Sequence, residues 1–249
     1  MQNLALVLAM AAATAIPVHA DTKANMVSAR SARQTVPISD ARIKFEINAT
    51  AGDGGIQIFL DAEPWQSMTI LDPRGRTVFE AETTGSIGAN GGTELFLESG
   101  EPSFSDLPLE DLLKRFPAGE YRFRGRGLDG ERLVGSAILT HDLPDGPRLV
   151  YPLDNGGSVD PNNLTLMWDK VAAPGSSRII AYQVLIVQTN TGVKALPKIT
   201  LDVMMPPTAL SLIVPPGFLR RDTRYEWEVL AIEAGGNQTL STSFFTTTP

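Results

Sequence analysis

The chain has 249 residues, a formal net charge of −7 and no cysteine. Hydrophobic residues make up 43% and charged residues 20% of the chain, which is ordinary globular usage and excludes extensive disorder. The acidic balance, with no evident basic stripe, disfavours nucleic acid as a partner, and the lack of cysteine excludes disulfides, thiol catalysis and Cys–His zinc sites.

Residues 4–16 form a nearly continuous run of Ala, Leu, Val and Met, followed by small residues at Val18 and Ala20. The run is too short to span a membrane and resembles the apolar region of a signal peptide. We therefore predict a cleaved signal peptide over residues 1–20, with an uncleaved anchor or a buried helix as alternatives. Residues 21–40 are polar and without period, which predicts a flexible leader. Without a cysteine to acylate, a lipoprotein is excluded, and a bacterial periplasmic or extracellular protein is favoured.

Short stretches of alternating polar and apolar residues fill the segment 41–143. DPRG at residues 72–75 places Pro at the second and Gly at the last position of a tight turn, and LDG at 128–130 is a second turn signal. Alternation with period two is typical of half-buried strands, so the segment predicts an N-terminal β-sandwich domain. The predicted strands cover residues 42–47, 56–60, 67–71, 77–80, 93–98, 120–126 and 132–139.

One helix interrupts this strand pattern. Pro117 ends it, and Ser105 or Asp106 is the expected N-cap. The pattern predicts a short helix that covers one open end of the sandwich. Four apolar residues recur at helical spacing: Leu109, Leu112, Leu113 and Phe116.

Residues 144–147 are the predicted linker, which Pro144 and Pro147 stiffen. The segment 148–249 that follows carries sequences that resemble the strands of fibronectin type III domains. The similar stretches are LTLMW at 164–168 for the B strand, YQVLIV at 182–187 for the C strand, ALSLIV at 209–214 for the E strand, and LRRDTRYEWEVLA at 219–231 for the E–F corner and F strand.

The resemblance implies a second β-sandwich, and it is confined to this second half of the chain. Arg221 departs from the family, which usually has Pro there. The hydroxyl of Tyr225 is expected to reach back to the backbone near Leu219, as in the tyrosine corner of such sandwiches. The whole chain is therefore predicted to be all-β, with two tandem β-sandwich domains. The landmark residues of the second are Trp168, Tyr182, Leu212, Tyr225 and Trp227.

Residues that could support catalysis are scarce. His141 is the one histidine outside the predicted signal peptide, and no G-x-S-x-G motif supplies a nucleophile for a Ser-His-Asp arrangement. Glu94 and Glu98 share a strand face and suit a glycosidase pair, although solvated strands carry such pairs too. We predict that the protein is not an enzyme, and a hydrolase that uses these residues is the less favoured alternative.

Side chains with oxygen atoms lie around the first predicted hairpin, and Ca²⁺ prefers such hard oxygen ligands. The candidate metal ligands are Glu46, Asn48, Asp53 and Asp61. In the alternative interpretation, Asn48, Gly52 and Asp53 simply build the turn. Trp65 is a candidate platform for stacking on a sugar, with burial over the sandwich end as the alternative.

No cofactor motif accompanies these residues, so we predict no cofactor apart from the candidate calcium ion. The leading hypothesis is an exported, non-enzymatic binding or structural protein that contacts a protein or a surface polysaccharide. The contacts would run through loops at a sandwich end or through an exposed sheet edge. A calcium- or carbohydrate-binding module is the second hypothesis.

Overall fold

The computed structural model describes residues 34–154, 156–172, 175, 177–196 and 198–249. The predicted signal peptide and most of the predicted leader lie outside these residues. No helix in the described part of the chain is long and apolar enough to cross a membrane. Strands dominate the structure, and two separate hydrophobic cores lie within residues 43–139 and 159–245. The predicted all-β fold with two tandem β-sandwiches is confirmed.

Alternating apolar residues form the strands of the first domain. Ile43, Phe45 and Ile47 point into its core from one strand, and polar residues between them face outward. The first strand lies within the predicted leader, where it pairs in parallel with the last strand of the domain. The strands are β1 Thr35–Pro37, β2 Asp40–Asn48, β3 Asp53–Leu71, β4 Thr77–Glu82, β5 Gly92–Glu98, β6 Gly119–Gly127 and β7 Arg132–Leu139.

The long strand β3 belongs to both layers of the first domain. Its first part pairs with β2 and β5, and its second part with β4 and β6. The prediction of two separate strands, at 56–60 and 67–71, was wrong. Pro64 does not end the strand, because it lies at a register irregularity between Asp61 and Trp65, where it breaks no regular ladder of hydrogen bonds. Trp65 is buried at this bend, as the alternative interpretation predicted, so its ring offers no platform to a sugar.

Two short helices complete the first domain: α1 Gly85–Asn90, which the sequence did not indicate, and α2 Leu109–Arg115. Leu112 of α2 is buried, and the other three apolar residues of the predicted stripe pack against the same core. The predicted caps were wrong. Pro108 is the N-cap residue of α2, without a side-chain hydrogen bond, and Ser105 and Asp106 lie before it.

The second domain is a sandwich of two antiparallel sheets. One sheet has the order β8-β10-β13, and the other contains β12-β11-β14-β15. Four of the landmark aromatic residues are fully buried between them, whereas Leu212 is partly buried against the same core. The strands are β8 Leu149–Tyr151, β9 Ser158–Val159, β10 Thr165–Trp168, β11 Ile179–Gln188, β12 Ile199–Met205, β13 Ser211–Ile213, β14 Arg224–Glu233 and β15 Gln238–Thr247.

The two domains share a sheet. The first residues of β15 pair in parallel with β2, in the register Gln238↔Glu46 and Leu240↔Asn48. One sheet of 12 strands therefore extends through both domains. Residues 144–147 pack beside this pairing. A Cβ at Gly146 would overlap the Ala49 side chain and lie 2.8 Å from Ser241 Oγ, so only glycine fits between the domains here.

Tyr225 forms the predicted corner of the second domain. Its ring stacks on Phe245 with centroids 5.4 Å apart, and its hydroxyl accepts a hydrogen bond from the Arg220 amide at 2.9 Å. The hydroxyl thus fixes the loop that leads into β14.

Replacing Tyr225 by Phe tests this corner. The ring and its stack remain, but the Arg220 amide loses its acceptor, so we expect the free energy of unfolding to fall by about 1–2 kcal/mol. Urea denaturation followed by tryptophan fluorescence measures the change. Tyr151→Phe, at a tyrosine that is 41% exposed, is the control. An unchanged midpoint for Tyr225→Phe would contradict a stabilising role of this hydrogen bond.

Candidate functional site: a groove at the domain junction

Asn237 joins the second domain to the first. Its side chain is fully buried in the turn between β14 and β15. Oδ1 accepts a hydrogen bond from the Phe45 amide at 2.9 Å. Nδ2 donates to Thr140 Oγ1 at 2.9 Å and approaches the carbonyl oxygens of Thr140 and Asp142 at 3.2 and 3.1 Å. One amide group therefore satisfies backbone groups from two separate segments, one in β2 and one directly after β7.

Glu233 holds the turn that carries this asparagine. Its carboxylate is buried, and it accepts hydrogen bonds from the amides of Gly235 at 2.7 Å and Asn237 at 3.0 Å, and from Ser177 Oγ at 2.6 Å. A Cβ at Gly235 would lie 2.7 Å from Glu233 Oε1 and 3.0 Å from Thr140 Oγ1. The turn is thus fixed in position before it meets the first domain.

A polar bridge crosses the junction next to Asn237. Lys44 Nζ donates to Gln238 Oε1 at 2.7 Å, and Gln238 Nε2 donates to the Glu46 carboxylate. Burial lowers the pKa of Lys44, although the nearby Glu46 carboxylate opposes this effect. Burial raises the pKa of Glu46, while Gln238 and Lys44 act against the rise. The glutamine therefore stands between a cation and an anion that are both largely withdrawn from water.

A groove of about 590 Å³ lies beside the bridge, with one wall from each domain. The first wall comes from β2, β3, β5 and β7, and the second from β11, β12, β14 and the turn at 234–236. Monomeric proteins rarely leave contiguous apolar surface exposed unless it serves in binding. Four large apolar side chains that line the groove are exposed: Phe96 (60%), Ile138 (58%), Met204 (58%) and Ile180 (41%).

Polar groups are interspersed with this apolar lining. The amide side chains of Gln57 and Gln183 donate through Nε2 to Glu98 and Asp202, and their carbonyl oxygens can accept further hydrogen bonds. At the edge, the Arg42 guanidinium lies 4.5 Å from the centroid of the Phe59 ring and forms an ion pair with Asp40 at 2.8 Å. The groove therefore offers apolar contacts and hydrogen bonds to one occupant.

Carboxylates are clustered behind the groove residues Gln57 and Gln238, which bind two of them. Oxygens of Glu46, Glu98 and Glu101 lie within 4.8 Å of one another, and Glu98 accepts a hydrogen bond from Gln57 at 2.9 Å. Burial raises the pKa of Glu101, and repulsion by Glu98, Glu46 and Asp53 raises it further. Glu228 of β14 extends the acidic region. Its pKa is raised to about 7 by burial and by repulsion from Glu226 and Glu46.

The four predicted calcium ligands do not form one cluster. Asp61 pairs with Asp40, eight residues along β3 from the Asn48↔Asp53 pair, which separates the two ends by about 26 Å. Asn48 Oδ1 accepts the amides of Thr50 and Ala51 and so builds the turn, as the alternative interpretation predicted. Glu46 joins a carboxylate cluster whose other members come from a distant part of the sequence. Calcium binding stays a prediction.

The residues considered for catalysis lie apart from one another. His141 Nε2 donates to the Phe116 carbonyl at 2.9 Å, and its ring lies against Phe45. Within the described ranges, no serine or carboxylate is hydrogen-bonded to this ring. Glu94 and Glu98 are four residues apart on β5, or about 13 Å, whereas glycosidase carboxylates lie about 5–10 Å apart.

The groove itself escaped the sequence analysis because its walls come from separate domains. One signal was present: Phe96 lies between Glu94 and Glu98 on the strand face expected to be solvated. A large aromatic residue on such a face is worth noting as a candidate contact. The residues that fix the junction, Asn237 and Glu233, carry no comparable signal, because a turn with Gly235 and Gly236 already accounts for them.

No protein-family model and no curated protein matches the chain. Among solved structures, the FN1–FN3 domains of chicken CNTN1 match with 12% identity over 87% of this chain and 69% of that chain, with a TM-score of 0.33. The fibronectin(III)-like modules of Clostridium thermocellum CbhA match with 9% identity over 83% of this chain and 94% of that chain, with a TM-score of 0.34. These values carry no functional argument.

Asn237→Ala tests the connection between the domains. The substitution leaves the Phe45 amide and two carbonyl groups without their partner, so we expect the free energy of unfolding to fall by about 2–4 kcal/mol. Calorimetry measures the loss and also shows whether the domains then melt separately. Asn163→Ala, at an exposed asparagine, is the control. A loss no greater than that of the control would contradict the role of Asn237.

Glu228→Gln tests the acidic region through pH. Because the folded-state pKa of Glu228 is raised to about 7, the folded protein binds this proton more tightly than the unfolded chain does. The free energy of unfolding should therefore fall as pH rises from about 4.5 to 7. We expect Glu228→Gln to reduce this decrease in the free energy of unfolding. At pH 8 the variant should be more stable than the wild type by about 1–2 kcal/mol after solvent screening.

Urea denaturation at several pH values measures both curves. Glu120→Gln, which removes an exposed carboxylate from another sheet region, is the matched control. Parallel curves for Glu228→Gln and the wild type between pH 4.5 and 8 would show that Glu228 does not titrate in this range.

Proposed function

We propose that this chain is an exported, non-enzymatic binding protein that holds a segment of a protein partner in the groove between its two domains. The observation that carries the proposal is the convergence of exposed apolar side chains from both domains on one groove. Phe96 and Ile138 come from the first domain, and Ile180 and Met204 from the second. Such a surface, rimmed by polar groups, is typical of a protein interaction site.

The rigid junction supports binding because it sets the distance between the two walls. The β2–β15 pairing and the four contacts of the Asn237 amide hold the domains in one arrangement. A preformed groove loses less conformational entropy when it is occupied than two mobile domains would. The junction thus contributes to affinity without touching the partner.

The chemistry of the lining favours a polypeptide segment as occupant. Peptides carry apolar side chains at intervals and amide groups between them, and the groove presents apolar side chains together with the amides of Gln57 and Gln183. The carbohydrate alternative is weakened by the burial of Trp65, its predicted stacking residue. Export is proposed on the signal-peptide pattern at residues 1–20.

Selection of random peptides on the purified protein tests this function. We expect the enriched peptides to contain apolar residues, and their affinity to fall about tenfold or more in Ile138→Asp and in Met204→Asp, because a charge in the groove opposes apolar contact. Fluorescence anisotropy of labelled peptides measures the affinities. A loss with both variants would place the peptides between the two walls.

Ile213→Asp is the matched control, because Ile213 is a 73% exposed apolar residue on the other sheet of the second domain. We expect it to leave peptide affinity unchanged. Peptides that bind equally to the wild type and both groove variants, or that are lost with Ile213→Asp, would overturn the proposed site.

A further inference from the structure

Four arginines line one outer face of the first domain. On β6, Tyr121 and Phe123 point into the core. The arginines that alternate with them and follow them therefore point outward. Arg132 of β7 lies directly opposite Arg126 in the strand register. We call these residues the arginine row: Arg122, Arg124, Arg126 and Arg132. No basic stripe is evident in the sequence, because uncharged residues separate the arginines of β6 and only strand pairing brings Arg132 beside them.

The charges of the arginine row are not paired within the described ranges. In the part of the chain that the structure describes, none of its members forms an ion pair, although other arginines do. Its neighbours across the strand register carry no negative charge: Ser67 lies beside Arg126, Thr69 and Val134 beside Arg124, and Leu71 and Ser136 beside Arg122. Four adjacent cations in a protein of net charge −7 therefore form a separate positive region.

The shape of the arginine row is linear. Outward residues of one strand repeat every ~7 Å, so Arg122 to Arg126 span about 13 Å. At one end the row meets the turn after β3, because a Cβ at Gly75 would lie 3.6 Å from Arg122 Nη2. The row is bordered by exposed carboxylates in two directions: Glu80 and Glu82 lie two strands away on β4, and Glu120 precedes Arg122 on the same outward face of β6. These carboxylates would repel a broad anionic surface but leave room for a single chain.

We propose that the arginine row binds a linear anionic polysaccharide, a ligand separate from the partner in the groove. Guanidinium groups pair with sulfate, phosphate or carboxylate in a two-pronged geometry. The hydroxyls of Ser67, Thr69 and Ser136 lie where they can hydrogen-bond to sugar hydroxyls. Single-stranded nucleic acid fits less well, because the outward residues of β6, β7 and residues 67–71 include no aromatic ring on which bases could stack.

Titration of the protein with dextran sulfate, and with uncharged dextran of the same length, tests this proposal. We expect dextran sulfate to bind in a salt-dependent manner and uncharged dextran not to bind. Arg124→Glu/Arg126→Glu should weaken dextran sulfate binding by about tenfold or more and lower its salt dependence, because two charge-assisted contacts become repulsive. Isothermal titration calorimetry measures both effects.

Arg178→Glu/Arg220→Glu is the matched control, because it changes the net charge equally through two exposed arginines of the second domain. We expect it to bind dextran sulfate within about twofold of the wild type. Equal losses in the two double variants, no binding by the wild type, or binding of uncharged dextran would overturn the proposal. The proposal would also be overturned if anionic phospholipid vesicles or poly(dT) bound more tightly than dextran sulfate and this binding were lost in Arg124→Glu/Arg126→Glu. A thermal melt of each variant verifies that it is folded.

Discussion

The parallel pairing of β2 with β15 is the constraint on which the rest of this structure depends. It is only a few residues long, yet it merges two sandwiches into one sheet. The Asn237 amide reinforces it by satisfying backbone groups that would otherwise be buried without partners. Because unpaired buried amides and carbonyls are unfavourable, the two domains have one arrangement in which all of these groups are satisfied.

That arrangement also determines the electrostatics of the junction. Lys44, Glu46 and Glu228 are largely withdrawn from water, and burial is the largest cause of the pKa shift of each. Gln238 partly compensates Lys44 and Glu46 by hydrogen bonds, and Lys44 attracts Glu46 and Glu98, whereas repulsion by Glu98 and Glu46 adds to the raised pKa of Glu101. An acidic cluster therefore adjoins the apolar groove through Gln57 and Gln238.

Features decided by local pattern could be predicted from the sequence, and features decided by contact between distant segments could not. The strand at 42–47, the turn at 72–75 and the Tyr225 corner each depend on residues close together in the chain. The bend in β3 and the carboxylate cluster both depend on how β3 pairs with β5, a distant part of the sequence. The arginine row needed only the inward direction of Tyr121 and Phe123, which the alternating pattern of β6 contains.

The position of β15 has a further consequence, for aggregation. An exposed edge strand is a template on which another chain can pair, and proteins protect such edges by charge, by proline or by covering them. Here β2 covers the first part of the outer edge of β15, and β9 covers its end. The first domain therefore protects this edge of the second domain from pairing with another chain. The second sandwich, expressed alone, would present the N-terminal part of β15 to its neighbours as an open strand.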